Sequence, residues 1–262
     1  MINQAPLPVN SSALSTGQAS PFLDLSLPRK ELIANAELAV CDLDQTLTFT
    51  KELHRLLLLR FVSSQHSGAD IIQVEQRYSE LRGKAYSDIL DGVAALVLNK
   101  SHFSGENLEF REAYFKFIGG LNKNSLEYRS EVMPGTKALL EDIAAIGTEM
   151  VVCTGSPQIL AELFIEQSGL TQFIPRDRMF CWGDTEYSKS DPQFWDPILG
   201  DRNRARILAL DDHPHSVECV MKSGGIGNLV VLPSVSSDKF DSLNSEFPGR
   251  IKIVSNSWDN WE

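Results

Sequence analysis

Positive charge is scarce in this chain. Its 262 residues carry 24 lysines and arginines against 35 aspartates and glutamates, a formal net charge of −11. A surface that grips nucleic acid works by neutralising phosphates with Lys and Arg, so no nucleic-acid partner is expected. A small phosphorylated molecule stays admissible, because a few local cations and a metal can outweigh a diffuse negative field. Cysteine is sparse too: Cys41, Cys153, Cys181 and Cys219 are scattered, with no C-x-x-C spacing. Cys41 and Cys153 sit in apolar runs, where a free cysteine behaves as a small hydrophobe, and a reducing cytoplasm is the expected setting. Long apolar runs are missing. The longest cluster, Leu56 to Val62, is broken by Arg60 and is far too short to cross a bilayer. No basic residue precedes Arg29, which fits neither a secretory signal nor a transit peptide. Residues 1–28, rich in Ser, Pro, Gln and Asn, read as a disordered or loosely packed arm.

What is present is an ordinary globular composition, 42% hydrophobic and 23% charged, long enough for one large core plus a smaller unit. The stretch AVCDLDQTLT, residues 39–48, organises the rest. Leu38 to Cys41 read as a buried strand, and two carboxylates, Asp42 and Asp44, follow at its end. Alone they also fit an acidic turn. After them the periodicity is helical over residues 50–130, with helices expected around Leu53–Val62, Ile71–Tyr78, Tyr86–Leu98 and Glu106–Ile118. From Val132 strands and helices alternate, with strands at Glu149–Cys153, Met179–Trp182, Ile207–Leu210, Leu229–Leu232 and Ile251–Val254. Such alternation implies an α/β fold, a doubly wound, mostly parallel sheet. Residues 29–49 and 131–262 form that core, and 50–130 a helical domain inserted into it.

Three strand ends carry polar groups: Asp42-Leu43-Asp44, Thr154-Gly155-Ser156 and Asp211-Asp212. In a doubly wound sheet the carboxyl ends of the strands line one crevice. Thr154-Gly155-Ser156, read as the turn from strand to helix, would aim N–H groups and a hydroxyl at an anion. Carboxylates converging there cannot all stay ionised without a cation. With no Cys or His cluster to offer softer ligands, the metal expected is hard and oxygen-seeking, such as Mg²⁺. A carboxylate beside Mg²⁺ and an anion cradle suits phosphoryl transfer. Asp42 is then the nucleophile and Asp44 the general acid and base. Lys189, in YSKSDPQF, would neutralise charge on nucleophile and phosphate. Thr154 also fits a helix cap, Asp211-Asp212 also fit a cap for the next helix, and Lys189 also fits an ordinary surface lysine.

Taken together, DLDQT (42–46), VVCTG (151–155), Lys189 in KSDP and LALDD (208–212) resemble the four-part signature of the haloacid dehalogenase (HAD) superfamily. The resemblance spans residues 37–232. It implies a Rossmann-like core with a helical cap, similar to the β-phosphoglucomutase-like phosphatases. Residue by residue it implies Asp42 as nucleophile and Asp44 as acid and base that also lends its backbone carbonyl to Mg²⁺. Thr154 becomes the phosphate-binding hydroxyl, with Gly155 and Ser156 beside it, and Lys189 the charge-stabilising lysine. Asp212, with Asp211, completes the metal carboxylates. Arg82, in LRGKAYSDIL (81–90), lies in a segment similar to one that faces the site in those caps, as does Lys84. The expected function is a Mg²⁺-dependent phosphatase of a small phosphorylated metabolite. A phosphomutase acting on a sugar phosphate and a non-catalytic HAD-fold binding protein are the alternatives. A dehalogenase is disfavoured, since it needs neither the proton of Asp44 nor Mg²⁺.

Several positions depart from that pattern. Gln45 stands where many members have glycine, and Ser190 replaces a proline after the lysine, which leaves Arg202 and Arg204 as fallback cations. Tyr86 sits where the sugar-phosphate mutase has an arginine, against a mutase. His213-Pro214-His215 reads as a helix start. The four tryptophans read as packing, with Trp258 and Trp261 placed in a flexible tail.

Overall fold

The computed structural model describes residues 22–81, 86–99, 105–121, 129–184 and 187–262. Arg82 and Lys84 lie outside the described residues. A short helix, α1 (Arg29–Asn35), leads into β1 (Leu38–Cys41), all four of whose residues are buried. A two-residue strand β2 (Thr48–Phe49) opens the helical insertion: α2 (Lys51–Gln65), α3 (Ile71–Glu80), α4 (Tyr86–Val97) and α5 (Gly105–Gly119). The chain returns through β3 (Glu131–Val132), antiparallel to β2, so the outgoing and returning connections are zipped together. Then come α6 (Thr136–Ile146), β4 (Glu149–Pro157), α7 (Gln158–Ser168), β5 (Met179–Trp182), α8 (Pro192–Leu199), β6 (Ile207–Asp211), α9 (Pro214–Lys222), β7 (Leu229–Val231), α10 (Asp241–Glu246) and β8 (Ile251–Ile253). No helix among the described residues is long and apolar enough to cross a membrane.

Apart from the β2-β3 pair, the strands of the described residues form one parallel sheet in the order β5-β4-β1-β6-β7-β8. The chain builds outward from β1 first to one side and then to the other, so β1 marks the point where strand order reverses. That is where open α/β sheets place their ligands. Side chains alternate along β1. Ala39 and Cys41 join the apolar layer that contains Leu139, Phe164 and the cap residues Leu57 and Phe61. Leu38 and Val40 face the opposite layer, with Trp195, Ile198 and Val217. Burial on both faces explains why β1 reads as a continuous apolar run rather than an alternating one.

The structure departs from the expectations in three places. β4 does not end at Cys153 but runs on through Thr154, Gly155 and Ser156 to Pro157, with an irregular register against β5. The segment after β8 is not a loose tail: Trp258 and Trp261 are 0% and 2% exposed. Leu23 and Leu25, at the end of the presumed arm, are also buried in the core.

The C-terminal segment fits because Gly135 has no side chain. Gly135 has φ +78°, and a Cβ there would lie 2.4 Å from the Asp259 nitrogen. Gly147 has nearly the same φ, +82°, but open space around it. Both would be strained by a side chain, yet only one would also collide. Gly135→Ala is therefore expected to lower stability by about 2–4 kcal/mol, against about 1 kcal/mol for Gly147→Ala. Equal midpoints for the two variants in urea unfolding would refute this account of the docked segment.

Candidate functional site

The register of β1 fixes the site. Cys41 pairs with Val152 on one side and Leu210 on the other, so Asp42 leaves the sheet level with Cys153 and Asp211. The Asp42 N–H donates to the Leu210 carbonyl at 2.9 Å, which extends the ladder by one rung and holds the carboxylate rigidly. Asp42, Asp211 and Asp212 are all buried, and one carboxylate oxygen of each lies within 4.8 Å of the others. Thr46 Oγ1 sits between two of them, 3.3 Å from Asp42 Oδ2 and 3.3 Å from Asp212 Oδ1.

Lys189 supplies the counter-charge. Its Nζ is 2.5 Å from Asp42 Oδ1, 3.8 Å from Asp211 Oδ2 and 3.3 Å from Ser216 Oγ. Trp195 Nε1 donates to the Lys189 carbonyl at 2.9 Å and so anchors the loop in the absence of the usual proline. Burial works against the lysine's charge, but Asp42 and Asp211 outweigh it and hold the ammonium well above its ordinary pKa. The fallback cations are engaged elsewhere: Arg202 with Glu149 at 2.7 Å, and Arg204 with Asp196 at 3.7 Å.

One lysine does not balance three carboxylates. Burial, with Asp211 and Asp44 adding to it, pushes the Asp42 carboxyl up against the pull of Lys189. Burial and the neighbouring Asp211 and Asp42 likewise push Asp212 well above the ordinary 3.8. Asp211 is the most occupied of the three. Its Oδ1 accepts from the N–H groups of Asp212 (2.8 Å) and His213 (3.2 Å), and its Oδ2 accepts from Ser216 Oγ at 2.6 Å. A buried, all-oxygen, anionic cluster fits a hard divalent cation, which would meet the charge that Lys189 leaves over.

Asp44 faces a different environment. Its Oδ1 accepts from Thr50 Oγ1 at 2.6 Å and lies 3.0 Å from His54 Nε2, while its Oδ2 accepts from Thr154 Oγ1 at 2.7 Å and Ser156 Oγ at 2.8 Å. Burial alone would raise its pKa. The bonds from His54, Thr50 and Thr154 win and hold it well below the usual carboxylate range. Its carboxylate is not in the three-acid cluster, so the expected contribution of Asp44 to a metal rests on its backbone carbonyl.

The other expectations sort out as follows. Thr154 is not a helix cap, since α7 begins only at Gln158; its hydroxyl accepts the Ser156 N–H at 3.0 Å while donating to Asp44. Gly155 has open space where a Cβ would stand and, with Thr154 and Ser156, lines a cavity of about 510 Å³ over the cluster. His213 does start a helix: it caps α9, its Nδ1 accepting from the His215 N–H at 3.3 Å. Gln45 takes φ +62°, the left-handed conformation a glycine would hold without strain. With its amide oxygen turned toward α2, it accepts from the N–H groups of Thr50 (2.8 Å) and Lys51 (2.9 Å), which offsets that strain. The sequence reading missed His54 and Thr50. Thr50 stands at the N-terminal cap position of α2 and His54 one turn into it, and a histidine four residues after a threonine at a helix start was the signal available.

The family model described as haloacid dehalogenase-like hydrolase matches residues 39–184. The chain belongs to the haloacid dehalogenase-like hydrolases. A search of curated proteins returned no match. Solved structures share the fold at low identity. CbbY from Rhodobacter sphaeroides, solved with xylulose-1,5-bisphosphate, is 17% identical with a TM-score of 0.61, covering 87% of this chain and 99% of that one. A candidate beta-phosphoglucomutase from Thermotoga maritima is 16% identical with a TM-score of 0.60, covering 84% and 94%. A predicted phosphoglycolate phosphatase from Haemophilus somnus is 17% identical with a TM-score of 0.58, covering 76% and 85%. At these identities the likeness shows the fold.

The charge imbalance gives a prediction. Because the folded state raises the pKa of Asp212, it holds that proton more tightly than the unfolded chain. Stability is then lost as pH rises from the ordinary 3.8 through the folded value, and the penalty is fully present above it. In metal-free buffer at pH 8, Asp212→Asn is expected to raise Tm by about 5 °C, with no gain at pH 3. Added Mg²⁺ is expected to stabilise the wild type and not the variant. A variant less stable than wild type at pH 8, both without metal, would contradict it.

Proposed function

We propose that this HAD hydrolase is a Mg²⁺-dependent phosphatase acting on a small phosphorylated metabolite through an aspartyl-phosphate. The observation that carries the reading is the division between two aspartates one residue apart. Asp42 is rigid, paired with Lys189 and set in the acidic cluster; Asp44 is turned away, toward donors on α2 and the end of β4. Two carboxylates held in separate surroundings can take separate tasks, Asp42 once a cation offsets its acidic neighbours and Asp44 once it leaves its donors.

Asp42 attacks phosphorus as the bond to the leaving oxygen breaks, and Asp44 protonates that oxygen. Water then attacks the aspartyl-phosphate, Asp44 takes its proton, and inorganic phosphate leaves with Asp42 restored. Lys189 offsets charge on Asp42 and on the phosphoryl oxygens. Gly155, in open space, and the hydroxyls of Thr154 and Ser156 cradle those oxygens. Asp42, Asp212 and the Asp44 carbonyl would hold the Mg²⁺, with Asp211 bracing Lys189 and Ser216 behind them. When bound, the ion supplies charge neutralisation at the phosphoryl group. In the hydrogen-bonded position described above, Asp44 is a poor acid. Moving toward a leaving group exchanges those donors and lets the carboxyl hold a proton.

CbbY, a structural neighbour, binds a sugar bisphosphate, and a mutase reading would require this chain to grip a second phosphate from the cap. Where the family resemblance puts an arginine for that purpose, Tyr86 instead bonds Tyr114 through its hydroxyl at 2.8 Å. The phosphatase reading is therefore preferred. Arg82, on the cap segment, is proposed to meet the leaving group.

Purified protein is expected to release phosphate from an aryl phosphate only with Mg²⁺. Asp42→Asn should abolish turnover, and Asp44→Asn should lower kcat by about 10²–10⁴-fold. Turnover that survives Asp42→Asn would remove the mechanism. Inactivity of the wild type across a broad panel of phosphate esters would favour the binding-protein alternative, and phosphate moved within a hexose would favour the mutase.

A further inference from the structure

The segment after β8 does more than fill space. Ser257 Oγ accepts from the Asp259 N–H at 3.0 Å and starts a single 3₁₀ turn, Trp258–Asn260. Arg29, paired with Asp142, donates to the Trp258 carbonyl at 3.0 Å and pins the turn against α1 and α6. Trp258 then makes two bonds, one to each connection between core and cap. Its backbone N–H donates to the Pro134 carbonyl at 3.0 Å, just after β3. Its indole Nε1 donates to the Thr46 carbonyl at 2.8 Å, just before β2. The same Thr46 carries the hydroxyl that lies between Asp42 and Asp212.

We infer that Trp258 is a positioning residue for the active site: its indole holds the Thr46 peptide, and through it the hydroxyl that sets the spacing of the Asp42 and Asp212 carboxylates. A buried carbonyl that loses a strong donor shifts or takes up water, and a shift of Thr46 moves its hydroxyl relative to both acids. Neighbouring Leu47 is fixed independently, its carbonyl accepting from the Met133 N–H at 2.9 Å and Thr136 Oγ1 at 3.2 Å. Loss of the indole bond therefore acts on Thr46 rather than on the whole connection. This inference rests on the proposed roles of Asp42 and Asp212.

Trp261 provides the internal control. It is equally buried, its ring centroid 6.0 Å from that of Trp258, but its Nε1 has no partner among the described residues. Trp258→Phe and Trp261→Phe thus remove similar packing, and only the first removes a bond to the site. In the full-length chain, Trp258→Phe is expected to lower kcat about tenfold and weaken Mg²⁺ binding, read by calorimetry, several-fold, with KM within about twofold. Trp261→Phe is expected to leave kcat and Mg²⁺ affinity within about twofold even where its Tm falls as far. In a Thr46→Val background, Trp258→Phe should have no further effect on either quantity. Equal effects of the two tryptophan variants, or an undiminished effect of Trp258→Phe in the Thr46→Val background, would overturn the inference. Should Trp258→Phe fail to fold, Thr46→Val alone decides: wild-type kcat and Mg²⁺ affinity there would also overturn it. A wild type that turns over no phosphate ester, while Mg²⁺ affinity still separates the two tryptophan variants, would sink the phosphatase reading and leave the positioning role standing.

Discussion

Three buried carboxylates at the ends of adjacent parallel strands are the constraint the rest of this molecule answers. Asp42, Asp211 and Asp212 stand where β1 and β6 leave the sheet, and no hydrophobic gain follows from putting them there. The surrounding polar contacts all manage that charge. Lys189 reaches in from its loop, Trp195 holds the loop by its backbone, Ser216 ties Lys189 to Asp211, and Thr46 spans Asp42 and Asp212. The arrangement is still short of positive charge, and that shortfall is the physical basis for expecting a divalent cation and an anionic substrate in a chain whose overall charge repels anions. The local field, not the net charge, decides.

The second feature is how two aspartates separated only by Leu43 come to differ. Leu43 is fully buried and points into the core, so the carboxylates on either side of it are held by separate structures. Asp42 belongs to the sheet and Asp44 to the first turn of the cap and the end of β4. One gains acids and a lysine as neighbours; the other gains only donors. Their pKa values are driven in opposite directions from the same starting point, and each direction is the reverse of what the proposed task needs: a bound cation would restore the charge of Asp42, and Asp44 would have to leave its donors to hold a proton.

The sequence carried much of this because the key signals are local. A buried strand followed by paired charges, repeated at three places along an alternating β/α pattern, is legible from periodicity and strand ends alone. The four cap helices were legible for the same reason. What escaped depends on contacts that no local pattern encodes. Trp258 is 212 residues from the carbonyl it donates to, and Ser156 is 102 from His54. Tryptophans near a chain end, among Ser, Asn and Asp, look like a tail until Gly135 is seen to leave them a slot. The extension of β4 through Thr154-Gly155-Ser156 was hidden because glycine and serine signal a turn in sequence, whereas here an irregular register keeps the strand going. Gln45 shows the reverse case: the sequence flagged a departure, and the backbone adopts the glycine-like conformation anyway.

The cap and the acid are physically linked, and this bears on how substrate choice could arise. Thr50 precedes the first helix of the cap and His54 belongs to it, yet they bond a carboxylate that begins in the core. Any shift of α2 relative to the sheet changes the donors around Asp44, and any ligand that draws Asp44 away gives up bonds to α2. On the role proposed for Asp44, the position of α2 and the protonation of this carboxyl would therefore be coupled. On the role proposed for Asp44, a leaving group that fits the cavity wall formed by Tyr78, Tyr86 and Ile89 would favour the arrangement in which Asp44 is released to protonate it, and one that does not fit would leave Asp44 hydrogen-bonded to His54. On the proposed reading the cap would act on selectivity in two ways, through the contact proposed for Arg82 and through how well the leaving group supports the cap position in which Asp44 works.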